Sequence, residues 1–174
     1  AEQPIRYHLA EQSFPELDEH SDICIKVSLE RLSWQSKERK LDWKKGAGGI
    51  EELVEGLLST LAKVGKINLD LMDFRTIVGH SGQATILVGS GTTSSLTDVV
   101  KTALKSPLSD LNVEGAKGCW IQVEGGQDMT IYQLNTVAEE FISLLDADCQ
   151  VLLGARSSDE MLGRIRIVAV VSGL

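Results

Sequence analysis

The sequence predicts an α/β fold of the two-layer α+β kind: a four-stranded, mostly parallel mixed sheet with helices packed on it. Three observations carry this expectation. From residue 82 onward, apolar runs and helical periodicities alternate as strand, helix, strand, helix, strand, strand, the order seen when helices cover a sheet. The 174 residues are enough for one domain with a proper core. The chain is 43% hydrophobic but only 5% aromatic, so that core must be built from Leu, Val, Ile and Ala.

Leu9, Phe14 and Leu17 suggest a first helix that Pro15 interrupts. Ile23 to Leu29 is a short β-rich run. Ser33 to Lys45 is charged, carries Trp34 and Trp43, and reads as loop, with Gly46-Ala47-Gly48-Gly49 as a flexible joint. After Ile50, the residues Leu53, Val54, Leu57, Leu58 and Leu61 recur at helical spacing, and Gly65 supplies a stop. Asn68-Leu69-Asp70-Leu71-Met72-Asp73 is an acidic turn leading into a short helix over Phe74 to Val78. Ala84 to Gly89 is a strand. Ser94 or Ser95 can cap a helix through Val99, Val100, Ala103 and Leu104, which Ser106-Pro107 ends. Gly118 to Glu124 is a strand closed by Gly125-Gly126. Thr130 opens a helix with Leu134, Val137, Ala138, Phe141, Ile142 and Leu145 on one face. Cys149 to Ala155 and Arg164 to Val171 are the last two strands. The final one begins alternating and ends continuously apolar, and it can pair as a hairpin with the strand before it.

A formal charge of −8 argues against nucleic acid or an anionic membrane surface as a direct partner. Cys24, Cys119 and Cys149 lie far apart within apolar stretches, which reads as buried, reduced thiols. No CxxC or His spacing points to a metal, because His8, His20 and His80 do not cluster. No run approaches the roughly 20 apolar residues of a membrane span, and no signal peptide is visible. The chain begins with Ala rather than Met, which suggests a processed or cleaved start.

Taken locally, Asp70 and Asp73 are ordinary helix-capping residues and Asn68 an ordinary turn residue. Gly89-Ser90-Gly91-Thr92-Thr93-Ser94-Ser95 has the look of a phosphate cradle, a Gly-rich turn into a helix, but lacks the Lys of a P-loop and reads better as a connecting turn. Arg164 and Arg166 read as the solvated face of a strand. Trp120 and Tyr132 read as core or interface packing, and the helix from Ile50 to Leu61 as core.

Several segments resemble one family in order and with similar gaps. Asn68 to Val78 resembles the catalytic-loop segment of FtsZ, N-x-D-x-x-D followed by a short helix. Ser106-Pro107-Leu108 with Gly115-Ala116-Lys117-Gly118 looks like its "SPLL…GAKG" stretch. Gly125-Gly126-Gln127-Asp128-Met129-Thr130 is similar to its "GGxDLTL" turn. Asp159-Glu160-Met161 and Val170 to Leu174 resemble its last strand pair and "VIATGL" end. Leu17 to Ile25 is similar to "LREHVDTLIVIPN". The likeness runs from about residue 10 to the last residue, and the sequence is identified as a member of the FtsZ/tubulin superfamily.

That resemblance implies a division into the end of a GTPase domain at 1–45, a central connecting helix at 46–66 and the carboxy-terminal domain at 67–174. The family's phosphate-binding GGGTGTG motif is absent, which suggests a fragment of a longer chain. In the family, GTP lies between consecutive filament subunits, and the acidic loop of one enters the pocket of the next. By resemblance, Asp70 and Asp73 polarise the attacking water and handle the cation, Mg2+, while Asn68 orients the water or the phosphate. Trp43 falls where the family's base-stacking Phe sits, so it can stack on guanine, whereas Ala47 stands in place of the base-reading Asn or Asp and offers no hydrogen bond. The implied partner is a second copy or an FtsZ-like homologue in filaments, in the cytoplasm or a plastid stroma. The implied activity is GTP hydrolysis by the assembled, full-length protein and not by this chain alone. The alternative is a relative that joins or caps filaments without hydrolysis.

Overall fold

A computed structural model describes residues 4–28, 30, 31, 33, 54, 55, 58, 66–80, 82–105 and 112–174. Among these, helix α1 spans Pro4–Glu19 and α2 spans Leu71–Val78. Strand β1 (Ala84–Thr92) is followed by a short 3-10 turn at Thr93–Ser95 and by α3 (Leu96–Lys105). Then come β2 (Gly118–Gly125), α4 (Ile131–Ile142), β3 (Gln150–Ser157), a 3-10 turn at Asp159–Met161, and β4 (Arg164–Ser172).

The sheet runs in the order β1-β4-β2-β3. β1 and β2 each pair antiparallel with β4, and β2 pairs parallel with β3. The expected α/β fold with a mixed sheet is therefore present, with β1, β2 and β3 pointing one way. The hairpin expected between the last two strands is not. β4 crosses over β2 and inserts between β1 and β2. The reason lies in its own residues: Ile165, Ile167, Ala169 and Val171 face one side, Val168 and Val170 the other, and all are buried. A strand apolar on both faces belongs in the middle of a sheet. β3, whose residues 151–153 are half-buried, takes the edge.

Two cores flank this sheet. On one face α3 and α4 contribute Val99, Val100, Ala103, Leu134, Val137 and Phe141, packed against Leu87, Ile121, Val123, Ile165 and Ile167. On the other face α2 contributes Ile77, packed with Ile86, Val88, Trp120, Val168 and Val170, and flanked by Phe74 and Leu69. The core is aliphatic apart from Trp120 and Phe141, as the composition requires.

Other expectations are corrected. α1 runs through Pro15 without a break; a proline removes one i→i−4 hydrogen bond, and the chain here continues helical on both sides. The β-rich run at Ile23 makes a single parallel bridge, Ile25 to Ala84, rather than a strand, because it meets β1 only at that strand's first residue. Gly89 to Thr92 is part of β1 and not a turn. Its glycines are there for close approach: a Cβ at Gly89 would lie 2.7 Å from the Val99 carbonyl oxygen, and one at Gly91 would lie 2.5 Å from Val99 Cγ2. Tyr132, in the first turn of α4, is 80% exposed and so is not core, which leaves the interface half of its reading open. Of the connecting helix expected at 46–66, Val54, Glu55 and Leu58 are described and helical, and Val54 and Leu58 are exposed rather than core.

Candidate functional site: an acidic loop seated on the sheet edge

The acidic loop begins where the chain joins the open edge of β3. Ile67 and Ala155 exchange both backbone hydrogen bonds, each 3.0 Å, a one-residue antiparallel bridge. Asn68 follows, exposed. Leu69 then turns inward over the face covered by α2, where it packs, half-buried, against the cluster that contains Trp120 and Val168. Space for it exists because residue 154 is glycine. A Cβ there would meet Leu69 Cδ1 at 2.9 Å and Gln122 Oε1 at 2.3 Å.

Asp70 is the N-cap of α2. Its Oδ1 accepts from the Asp73 amide at 2.9 Å, while the Asp73 Oδ2 accepts from the Asp70 amide at 2.9 Å. This reciprocal capping box satisfies two amides that a helix start leaves without intrahelical partners. It also places two carboxylates at the positive end of the helix dipole. The box explains why α2 starts at Leu71, three residues before the Phe74 expected from sequence. Further along, Phe74 meets Trp120 edge-to-face with ring centres 5.5 Å apart, and Ile77 is fully buried. These contacts lock the helix, and with it the cap, onto the sheet. Leu71 and Met72 point outward, 58% and 65% exposed.

Asn68 and Asp70 are exposed on the loop, and Asp73 is half-buried in the first turn of α2 beside Asp70. Each carboxylate uses one oxygen in the box, so Asp70 Oδ2 and Asp73 Oδ1 have no part in capping. A carboxylate held this way can accept a proton or a hydrogen bond, or share a cation, without releasing the helix. Trp43 and Ala47 lie outside the described residues, and so does most of the stretch around them. Among the described residues, no group of three His, Cys, Asp or Glu side chains is placed to hold a metal ion.

Sequence reasoning missed three features around the loop. Lys66 extends its ammonium to the carbonyl oxygens of Gln127, 3.4 Å, and Met129, 3.1 Å, in the turn before α4. Gly154 makes room for Leu69. Arg166, expected on a solvated face, is instead largely buried with Glu124, donating through Nε at 2.9 Å and also pairing through Nη2. Arg156 binds the other oxygen of Glu124, and Arg166 also lies 3.8 Å from Glu55. The signal for this cluster was present: Glu124 interrupts an otherwise uncharged strand, and register sets it directly between Arg156 and Arg166. Such a cross-strand match is invisible until the strand order is known. Arg164 is exposed as expected.

The cysteines are free. Cys119 is buried, but Cys24 and Cys149 are only partly so, since both lie outside the central strands. Burial, with a smaller contribution from Cys149, pushes the Cys119 thiol far above its ordinary titration range.

Comparison with known proteins decides the family. Residues 82–174 match the FtsZ family, C-terminal domain. The chain belongs to the FtsZ family. The cell division protein FtsZ of Haloferax mediterranei is 33% identical over 179 residues, an alignment taking in 100% of this chain and 47% of that protein. Cell division protein FtsZ 1 of Archaeoglobus fulgidus is likewise 33% identical, over 177 residues, covering 100% of this chain and 48% of its own length. A solved FtsZ structure from M. jannaschii, an empty dimer, superposes with a TM-score of 0.82 at 28% identity, covering 93% of this chain and 48% of that one. The chain thus spans about half the length of the FtsZ relatives it matches. It is an FtsZ-like carboxy-terminal domain with the residues preceding it, and no described helix is long and apolar enough to cross a membrane.

Proposed function

We propose that this chain is the carboxy-terminal half of a filament-forming FtsZ-type GTPase of cell or organelle division, whose Asn68–Asp73 loop completes the GTP site of the neighbouring subunit. On this reading, residues 1–45 are the end of the GTPase domain, 46–66 the connecting helix and 67–174 the carboxy-terminal domain. Trp43, by the family resemblance, would be the residue that stacks on the guanine.

The observation that supports the reading is the reciprocal box between Asp70 and Asp73. Hydrolysis of a γ-phosphate needs an oriented water and a group to receive its proton. Asp70 and Asp73 present one carboxylate oxygen each from a rigid helix start, and Asn68, one residue from the sheet anchor, orients the water or the phosphate. Two such carboxylates also suit a shared Mg2+ site, since that ion is ordinarily held by one or two carboxylates, substrate phosphates and water. Mg2+ there would neutralise charge developing on the phosphate oxygens. The chain's own part is to carry the carboxylates to the neighbour's pocket and hold them in place.

The test is GTP turnover per molecule against protein concentration, for the longest natural form and its Asp70→Asn variant. Asn caps a helix as well as Asp does, so this variant keeps α2 while removing the charge. Turnover that climbs above a threshold concentration and falls about a hundredfold or more in the variant supports the proposal. Absence of turnover at any concentration, or a variant as active as wild type, overturns it and leaves a relative that joins or caps filaments without hydrolysis.

A further inference from the structure

The loop's carboxylates are useful only if the loop holds its position, and contacts at its start add to the packing of α2 on the sheet. Ile67 bridges to Ala155, Leu69 fills the space over Gly154, and Lys66 reaches the turn before α4. The first two tie the loop to β3 and to the sheet face. The third ties it to another loop. Lys66 precedes the bridge, and its ammonium donates to two carbonyls of one tight turn, Gln127 and Met129.

That turn is itself well fixed. The Met129 amide donates to the Gly126 carbonyl at 3.0 Å, and Met129 is buried beneath Gly125. Thr130 and Gln133 close a second capping box at the start of α4. The turn therefore offers a rigid pair of carbonyl oxygens, and an ammonium spanning both is held by charge-assisted hydrogen bonds in a single direction.

We infer that Lys66 is a positioning residue, tethering the start of the acidic loop to the Gly126–Thr130 turn so that Asp70 and Asp73 keep a fixed place relative to the edge of β3. The inference rests on the proposed role of the loop for its effect on turnover, though not for the tether itself. Bridge and tether restrain different motions. Ile67 holds the chain to the edge of β3, and Lys66 holds the residue before it to the turn that opens α4.

Backbone amide exchange in the full-length protein, compared among wild type, Lys66→Met and Lys66→Arg, tests the tether directly. Lys66→Met keeps the aliphatic stem and removes the donor. Exchange at Asn68 to Asp73 should quicken about three- to tenfold in Lys66→Met, as suits the loss of a partly exposed charged hydrogen bond. The strands should be unaffected, and Lys66→Arg should restore the slow rate. Exchange that does not change at the loop, or that quickens equally throughout, overturns the inference. Turnover then reads the consequence. In Lys66→Met kcat should fall about three- to tenfold with KM for GTP unchanged, because the nucleotide is bound by the neighbour's pocket, and Lys66→Arg should recover it. A wild type without turnover defeats the proposed function while the exchange measurement still decides the tether.

Discussion

The two faces of the sheet are built differently, and the difference separates what holds the fold from what positions the loop. The face under α3 and α4 is closed by apolar side chains: Val100, Val137 and Phe141 meet Ile121, Ile165 and Ile167, all fully buried. The face under α2 is mixed. Its apolar half, around Trp120 and Ile77, gives way to a polar half that holds Gln122, Glu124, Arg156 and Arg166. Glu124 has both oxygens taken by arginines there, while Gln122 Oε1 and Trp120 Nε1 are buried without a hydrogen-bond partner among the described residues. Unsatisfied buried polar atoms cost stability, so this face is not optimised for stability alone. It is also the face that seats Leu69, the inward residue of the acidic loop.

Substitutions can sharpen the contrast, and the largest effects should come from removing a central group on each side. Phe141→Ala opens a cavity in the apolar face and should cost about 3–5 kcal/mol in urea unfolding. Glu124→Ala strips two arginines of their shared partner and should cost roughly 3 kcal/mol by the same measurement. If Glu124→Ala proves neutral while Phe141→Ala does not, the charged cluster contributes nothing to holding the second face.

A pair of glycines gives a smaller and more selective comparison. Gly89→Ala would press a methyl against the Val99 carbonyl at 2.7 Å. Backbone must then shift, and about 1–3 kcal/mol of stability should be lost with the loop untouched. In Gly154→Ala the nearest atoms to the new methyl are side-chain ones, Gln122 Oε1 and Leu69 Cδ1 and Cγ. This substitution should cost less stability yet displace Leu69, so that amide exchange at Asn68 and Asp70 quickens. Equal loop exchange in the two variants would show that Gly154 has no part in seating the loop.

The smallest effect is one of pH on the apolar face. Cys119 is neutral when folded and its thiol is pushed up by burial, whereas an unfolded thiol titrates near its ordinary value of 9.0. A raised folded-state pKa means the contribution is intact below that value and is lost as pH climbs above it. The urea midpoint should therefore fall more steeply above pH 9 in wild type than in Cys119→Ala. Parallel slopes would remove Cys119 from the account.

Much was determined by the sequence itself. Element identity followed from local periodicity: Ala84, Gly118, Gln150 and Arg164 all begin strands close to where apolar runs place them. The acidic loop was legible because its residues are contiguous, and so was the capping alternative. The structure gives Asp70 and Asp73 that capping role, which leaves one oxygen of each for other work. Family membership rested on ordered short motifs, which need no geometry.

Tertiary structure alone decided the rest, and the reason is that register and strand order join residues far apart in the chain. β4 reads as a partner for β3 because they are neighbours in sequence, but burial on both faces draws it between β1 and β2. Only then does Glu124 fall between Arg156 and Arg166, turning an apparently solvated arginine into a buried one. Only then does residue 154 lie beneath Leu69, and only then does Lys66 come within reach of a turn some 60 residues further on, |i−j| being 61 for Gln127 and 63 for Met129. Local chemistry wrote the loop, and long-range packing set where its carboxylates stand.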